Sequence, residues 1–187
     1  CTSQPHDLYA ISSETSGMQV DDQHDSIRSL GFDFDFYGNT YDRCVISGNG
    51  YITFDTTVAN TPSPWIINAA IPNPGQMPEN AIMAPWHDID LNIGGNITFG
   101  TAGAAPNRMF IVTFCAIPMY EPITIPPNNC NSLLHTSQVI LHEGTNKIEM
   151  FLQDKFVCLA HNNGHAVQGL VDANSTNADI VTDPVSG

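Results

Sequence analysis

Basic side chains are scarce in this sequence. Only five of its 187 residues are Lys or Arg, against 19 Asp and Glu, and the formal net charge is −14. A surface this acidic repels phosphate groups, which argues against nucleic acid as a partner and against anionic lipid surfaces. Charged residues of both signs make up 13 % of the chain. Amide, hydroxyl and backbone groups must therefore cover much of the surface, as in many extracellular β proteins.

Long apolar runs and catalytic signatures are also missing. No run approaches the ~18 consecutive apolar residues of a membrane-spanning helix, so we expect no membrane insertion. The sequence has no Gly-x-Ser-x-Gly motif, and nothing in it sets two carboxylates at the separation that a glycosidase requires. We therefore predict that the chain is not an enzyme.

The five cysteines include no Cys-x-x-Cys pair, which argues against a zinc site. We expect Cys44, Cys115, Cys130 and Cys158 to form two disulfides, which predicts an extracellular or cell-surface location. Three connectivities are open, and we favour Cys115–Cys130 with Cys44–Cys158. Cys1 is then left over, either as a lipid-anchored N-terminus or as the partner of a cysteine outside this fragment.

Short strand patterns separated by Gly, Pro and Asn fill most of the chain. Phe32, Phe34 and Phe36 alternate with acidic residues, a pattern typical of a half-buried strand. The turn at residues 48–50 contains Asn-Gly and predicts a tight hairpin. No segment has a sustained apolar period of 3.6 residues. The predicted fold is all-β, a two-layer antiparallel β-sandwich. Further strands are expected at residues 44–47, 51–54, 81–83, 87–91, 96–99, 109–117, 137–142, 147–152, 156–159 and 166–171.

Two long proline-rich segments interrupt the strand pattern, at residues 55–80 and 118–131. Proline removes a donor from the strand ladder, so both segments are predicted to be surface loops. Loops of this length are usually functional or held by their own packing. We assign residues 1–25 to a tail or an irregular first strand around residues 8–11, and residues 26–187 to the sandwich module.

Acidic residues supply the best candidate for a metal site. Asp88, Asp90 and Asn92 alternate before a glycine-rich turn, and alternate residues leaving a strand point to one side, where they could bind calcium. The alternative is that these acids only cap turn amides. A second acidic run, which begins at Asp21 and Asp22, could hold a divalent ion, but we expect a solvated loop.

Histidines supply a weaker metal candidate. His161 and His165 flank an Asn-Asn-Gly turn, which could present both imidazoles to a transition metal. Two ligands alone hold a metal weakly, and we expect a polar loop.

The proline-rich loops supply a candidate glycan site, because sugars bind to exposed aromatic faces beside amides and carboxylates. Trp65 lies in the first loop, and Tyr120 and Glu121 lie in the second. Asn128 and Asn129 follow in that second loop. The alternative for Trp65 is that it packs beneath its own loop as a hydrophobic plug.

Several segments resemble nidogen-like (NIDO) extracellular domains. Residues 31–38 and 47–54, the latter Ser-Gly-Asn-Gly-Tyr-Ile-Thr-Phe, resemble the opening of those domains. Residues 82–90 resemble their apolar-Pro-aromatic-x-Asp-x-Asp segment. Residues 136–141 and 166–170 resemble two of their later strands, with Ser137 where the family has an aromatic residue. The resemblance implies an adhesin-like module, and the family offers no known catalytic residues that could be assigned to positions of this sequence.

A finer resemblance is to modules in large surface proteins of gliding bacteria that use type IX secretion. Those modules contain similar motifs in the same order as residues 36–41, 63–65, 67–72, 117–119 and 137–143. The function that follows as our leading hypothesis is adhesion, by recognition of a glycan or a protein partner, with calcium ordering a loop. The alternatives are a structural spacer or a self-assembling unit that binds like modules and, less favoured, a carbohydrate-active hydrolase.

Overall fold

The computed structural model describes residues 14–75, 78–123 and 128–180, and over these ranges it is built from short strands. Three single-turn 3-10 helices lie in the connections, at Thr56–Val58, Cys130–Ser132 and Asn162–Gly164. The strands are β1 (Glu14–Thr15), β2 (His24–Phe36), β3 (Asn39–Ser47), β4 (Tyr51–Thr53), β5 (Ala81–Trp86), β6 (Asn96–Ala102), β7 (Met109–Pro118), β8 (Leu134–His142), β9 (Ile148–Asp154), β10 (Val167–Val171) and β11 (Ala178–Ile180).

The strands form two antiparallel sheets. One has five strands in the order β1-β6-β7-β8-β9, and the other has six in the order β11-β10-β5-β4-β3-β2. The predicted all-β sandwich is therefore confirmed. Strand β2 shows the predicted alternation, since Phe32, Phe34 and Phe36 are buried while Asp33 and Asp35 are exposed.

The main core lies between the sheets, and a second, smaller cluster lies on the outer face of the six-stranded sheet. Ile52 and Ile82 belong to the main core, whereas their sequence neighbours Tyr51 and Met83 belong to the second cluster. The first proline-rich loop covers that outer face with Ile67 and Ile71, and Trp86 is completely buried there. The loop is thus held by its own packing, which aliphatic burial stabilises.

The predicted hairpin joins β3 to β4, with Ile46 opposite Ile52. Its turn needs glycine at position 50, where φ is +83° and a Cβ would lie 2.2 Å from the carbonyl oxygen of Pro85. Between the two strands, the side chain of Asn49 is completely buried. The hairpin therefore points an amide into the interior of the molecule.

Two predicted strands are absent from the described residues. Residues 87–91 form only an isolated bridge between Ile89 and Met119, because the chain turns away after β5 toward the end of β7. Residues 156–159 lie beyond β9 without a strand partner. Val157 and Leu159 remain 60 % and 75 % exposed, so their apolar character does not reflect burial.

The predicted cysteine pairing is wrong. Cys130 is bonded to Cys158, which ties the end of the second proline-rich loop to the segment after β9. Cys44 is a free thiol, completely buried in the main core on β3, where the strand holds its side chain among apolar neighbours. Cys115 is in a disulfide as well. Cys1 and the expected irregular strand at residues 8–11 lie outside the described residues.

Candidate metal centre

Three aspartates from two distant segments meet at one end of the sandwich. Asp21 and Asp22 lie in the turn before β2, and Asp88 follows β5. Each offers one carboxylate oxygen, and these oxygens all lie within 4.8 Å of one another. Like charges at this separation repel, so the arrangement requires a proton or a cation to stabilise it.

Asp88 is the most unusual member of this cluster. Its side chain is only 3 % exposed, and neither carboxylate oxygen accepts a hydrogen bond from any described residue. Oδ1 of Asp21 is also buried without a hydrogen-bond partner. A buried carboxylate that lacks hydrogen bonds is destabilising by several kcal/mol unless its charge is compensated.

The protonation of the cluster responds to this environment. Burial, together with the charges of Asp22, Asp21 and Asp90, raises the pKa of Asp88 to about 8. Burial and the charges of Asp22 and Asp90 raise the pKa of Asp21 to about 7. The pKa of Asp22 is raised by burial too, although a hydrogen bond from Asn49 opposes the shift. Near neutral pH the cluster therefore retains protons that a bound cation would displace.

His161 approaches the cluster from the third 3-10 turn. Its Nε2 atom lies 2.6 Å from Oδ2 of Asp88, but the two atoms are not aligned as a hydrogen bond. Burial lowers the pKa of His161, and the charge of Asp22 opposes this shift. A small cavity of about 10 Å³, with Asp88, Tyr120 and His161 in its wall, has room for about one water-sized species.

Asn49 connects the two acidic segments. Its Nδ2 donates to Oδ1 of Asp22 at 2.8 Å, and its Oδ1 accepts from the backbone N–H of Ile89 at 3.3 Å. Sequence reasoning identified the hairpin around Asn49 but not this role. The available signal was an Asn in a tight turn between two strands whose other residues are apolar.

The predicted metal ligands are only partly brought together. Asp88 lies in the cluster. Asp90 is half-buried, and its Oδ1 accepts from the backbone N–H of Asn92 at 2.8 Å, which is the turn-capping role; its charge still acts on the three clustered carboxylates. Asn92 is exposed and takes part only through its backbone. Asp21 and Asp22, expected in a solvated loop, are half-buried beside Asp88 instead.

Three carboxylates form a set of hard oxygen donors, the kind that calcium prefers. Calcium takes 6–8 oxygen ligands, so carbonyl groups or water would complete its shell. The imidazole of His161 is not a typical calcium ligand, and we expect it to hold Asp88 in place from outside the shell.

Two of the predicted glycan-binding residues lie near this centre. The carbonyl oxygen of Trp65 accepts from Nδ2 of Asn162 at 2.7 Å, and the ring of Tyr120 is tilted against the ring of His161 with centroids 4.7 Å apart. Both loops therefore meet the 3-10 turn at Asn162–Gly164. Trp65 is 39 % exposed, so part of its ring faces solvent.

The other predicted glycan-binding residues form a turn of their own. Glu121 accepts hydrogen bonds from the backbone N–H groups of Asn129 at 2.8 Å and Asn131 at 3.3 Å. Asn128 and Asn129 are exposed. The carboxylate of Glu121 thus braces the second proline-rich loop.

The fold and the disulfides define a class of protein, the disulfide-stabilised extracellular β-sandwich modules. Residues 2–185 match the family model described as "NIDO related". The chain belongs to this NIDO-related family, as the resemblance predicted; the finer likeness to modules of gliding bacteria stays a prediction. No curated protein and no solved structure matches the chain at a significant level. Within the described ranges, no helix has the length and apolar character needed to cross a bilayer.

Proposed function

We propose that this chain is an extracellular adhesion or binding module whose loop end is completed by calcium bound to Asp21, Asp22 and Asp88. The family supports the extracellular setting. The observation that carries the calcium site is the carboxylate of Asp88, which is buried beside two other carboxylates without a hydrogen bond. A divalent cation would compensate the charge of the cluster and use its free oxygens.

Calcium at this position would act on the shape of the binding surface. The ion would link the turn before β2, the segment after β5 and, through Asp88, the turn that carries His161. That turn contacts the loops of Trp65 and Tyr120. We therefore expect the cation to order the surface that meets a partner. Recognition of a glycan there, the use of the chain as a spacer or self-assembling unit, and its lack of enzymatic activity stay predictions.

Thermal unfolding in calcium and in chelator tests this proposal. At 100 times its dissociation constant, a ligand that binds only the folded state stabilises by about 2.7 kcal/mol. For a domain of this size we expect the melting temperature to rise by about 5–10 °C in saturating calcium. Asp88→Asn should abolish the rise, and it should stabilise the calcium-free protein because the folded state no longer has to bind a proton or bury a charge at this position.

Asp33→Asn is the matched control, since it removes one carboxylate from an exposed position on β2. It should keep the full response to calcium. Identical melting curves for the unaltered protein in calcium and in chelator would refute the site, and an equal loss of response in the control would reduce the effect to general charge screening.

A further inference from the structure

A cavity of about 320 Å³ lies between β4 and the first proline-rich loop, and none of Asp21, Asp22 and Asp88 lines it. This volume is in the range of sites that bind small molecules or single side chains. Val58, Pro62 and Pro78 contribute to its wall, and these side chains offer apolar surface without hydrogen-bonding groups. The wall therefore suits an aliphatic stem.

His24 and Tyr51, which both line the cavity, form a hydrogen-bonded pair. Nδ1 of His24 lies 3.2 Å from the carbonyl oxygen of Thr61, and Nε2 lies 2.6 Å from the hydroxyl of Tyr51. Because a carbonyl only accepts, Nδ1 carries the proton and Tyr51 donates to Nε2. Both ring nitrogens of His24 are therefore engaged within this pair and with Thr61, and neither is left to bind a carboxylate of the cavity.

Two carboxylates, Asp55 and Glu79, line the same cavity. Oδ1 of Asp55 accepts from the backbone N–H of Thr57 at 2.9 Å, and Oε1 of Glu79 accepts from the backbone N–H of Gly75 at 3.2 Å. These bonds fix the orientation of each carboxylate through one oxygen. Among the described residues, nothing donates to the second oxygen of either group.

No Lys or Arg side chain of this chain pairs with these two carboxylates. All five Lys and Arg residues lie in the described ranges, and none lines the cavity. Four of them form ion pairs elsewhere, and Nζ of Lys155 donates to the carbonyl oxygen of Phe156. The four pairs are Arg28–Asp25, Arg43–Asp42, Arg108–Glu143 and Lys147–Glu149. A Lys or Arg side chain that pairs with Asp55 and Glu79 would therefore come from another molecule.

We propose that this cavity binds a Lys or Arg side chain of a protein partner. The methylene stem packs against Val58 and the prolines, while the charged head donates to the free oxygens of Asp55 and Glu79. A sugar could use prolines and carboxylates as well, but it would leave the two negative charges uncompensated. The net charge of −14 also attracts a basic partner from a distance.

Binding of single residues to the full chain tests this proposal independently of the calcium site. The probes are N-acetyl-lysine methylamide and N-acetyl-arginine methylamide, with the uncharged N-acetyl-norleucine methylamide as control and methyl glucoside as the rival ligand. Amide NMR signals of Thr53 and Val58 report on the cavity. We expect saturable shifts with the basic probes, with dissociation constants of about 1–10 mM for so small a ligand, and none with norleucine or glucoside.

Variants locate the charge that matters. Glu79→Gln and Asp55→Asn keep the side-chain shapes and should each weaken binding by about fivefold, the upper range for a solvent-accessible ion pair. Asp33→Asn removes the same charge from an exposed strand position and should change binding by less than about twofold. Saturation by glucoside or norleucine, or equal weakening by Asp33→Asn, would overturn the proposal. These outcomes do not depend on whether calcium binds at Asp88.

Discussion

Asn49 shows how much one buried side chain can organise. Its amide nitrogen donates to Asp22 and to the carbonyl oxygen of Pro64, and its amide oxygen accepts from the backbone of Ile89. These contacts join the hairpin to both halves of the metal centre and to the first proline-rich loop. A buried amide with its hydrogen bonds satisfied in this way specifies a single arrangement of the loops around it.

Asn49→Ala should therefore destabilise the protein by more than the few atoms that it removes would suggest. The change leaves the backbone N–H of Ile89 and one oxygen of Asp22 without their partner, and we expect the free energy of unfolding to fall by about 2–4 kcal/mol. Urea unfolding measures this difference. Asn92→Ala, at an exposed position, is the control and should change stability by less than about 0.5 kcal/mol. A loss below about 1 kcal/mol for Asn49→Ala would contradict the assigned role.

His135 sets a limit on stability in acid. It is completely buried against the ring of His87, with centroids 4.3 Å apart, and its Nε2 lies 2.7 Å from the hydroxyl of Ser137. Burial, with a smaller contribution from the charge of Lys155, lowers the pKa of His135 to about 3. The unfolded chain takes up this proton near the ordinary pKa of about 6.5, well before the folded chain does.

The contribution of His135 to the free energy of unfolding depends on pH. The contribution of His135 is fully present above about pH 6.5 and is lost progressively as the pH falls toward 3, because the unfolded state then binds more protons. Urea unfolding at several pH values measures this contribution. In the unaltered protein the raised pKa values of Asp21 and Asp88 act in the opposite sense, because the folded state holds more protons there than the unfolded state. His135→Gln should remove the His135 contribution and so change the pH dependence of the free energy of unfolding between pH 6 and 4, whereas His165→Gln, at an exposed position, should not. Parallel curves for all three proteins would contradict the prediction.

At the scale of elements, most strands and the β3–β4 turn were predictable from local patterns, and two expected strands were not formed. The alternation in β2 and the Asn-Gly turn between β3 and β4 are local signals, and each is written within a few residues. Residues 87–91 also alternate, and residues 156–159 form a short apolar run, but a strand needs a neighbouring strand to pair with. That neighbour is supplied by the rest of the chain, so the local pattern was insufficient.

The Cys130–Cys158 bridge links the end of the second proline-rich loop to the segment after β9. It closes a segment with a sequence separation of 28 residues, for which chain entropy predicts a stabilisation of about 3–4 kcal/mol. Replacing both cysteines with alanine should lower the free energy of unfolding by about this amount in urea. Cys44→Ala, in a protein that keeps both halves of the bridge, should give a smaller loss that is independent of reducing agent. An unchanged midpoint for the double variant would contradict the estimate.

At the scale of the whole molecule, the metal centre depends on contacts between distant segments, which local sequence patterns do not predict. Asp88 was recognised as a candidate ligand from its own motif, and for Asp21 and Asp22 a solvated loop was favoured over an ion site. Their meeting depends on the path of β2 relative to β5, which no local pattern encodes. The same holds for the cavity near Asp55, because its two carboxylates are separated in sequence by the whole first proline-rich loop.

The buried thiol of Cys44 has a consequence for how the protein matures. Burial raises the pKa of this thiol far above its ordinary value, so the thiolate that attacks disulfides does not form once the core has closed. Closing the core before oxidation is complete would withdraw Cys44 from exchange and leave only three ways to join the other four cysteines. A chain whose core has not formed still exposes the Cys44 thiol, which can attack and rearrange its disulfides. Burial of Cys44 thus allows disulfide exchange in incompletely folded chains and prevents it in folded ones.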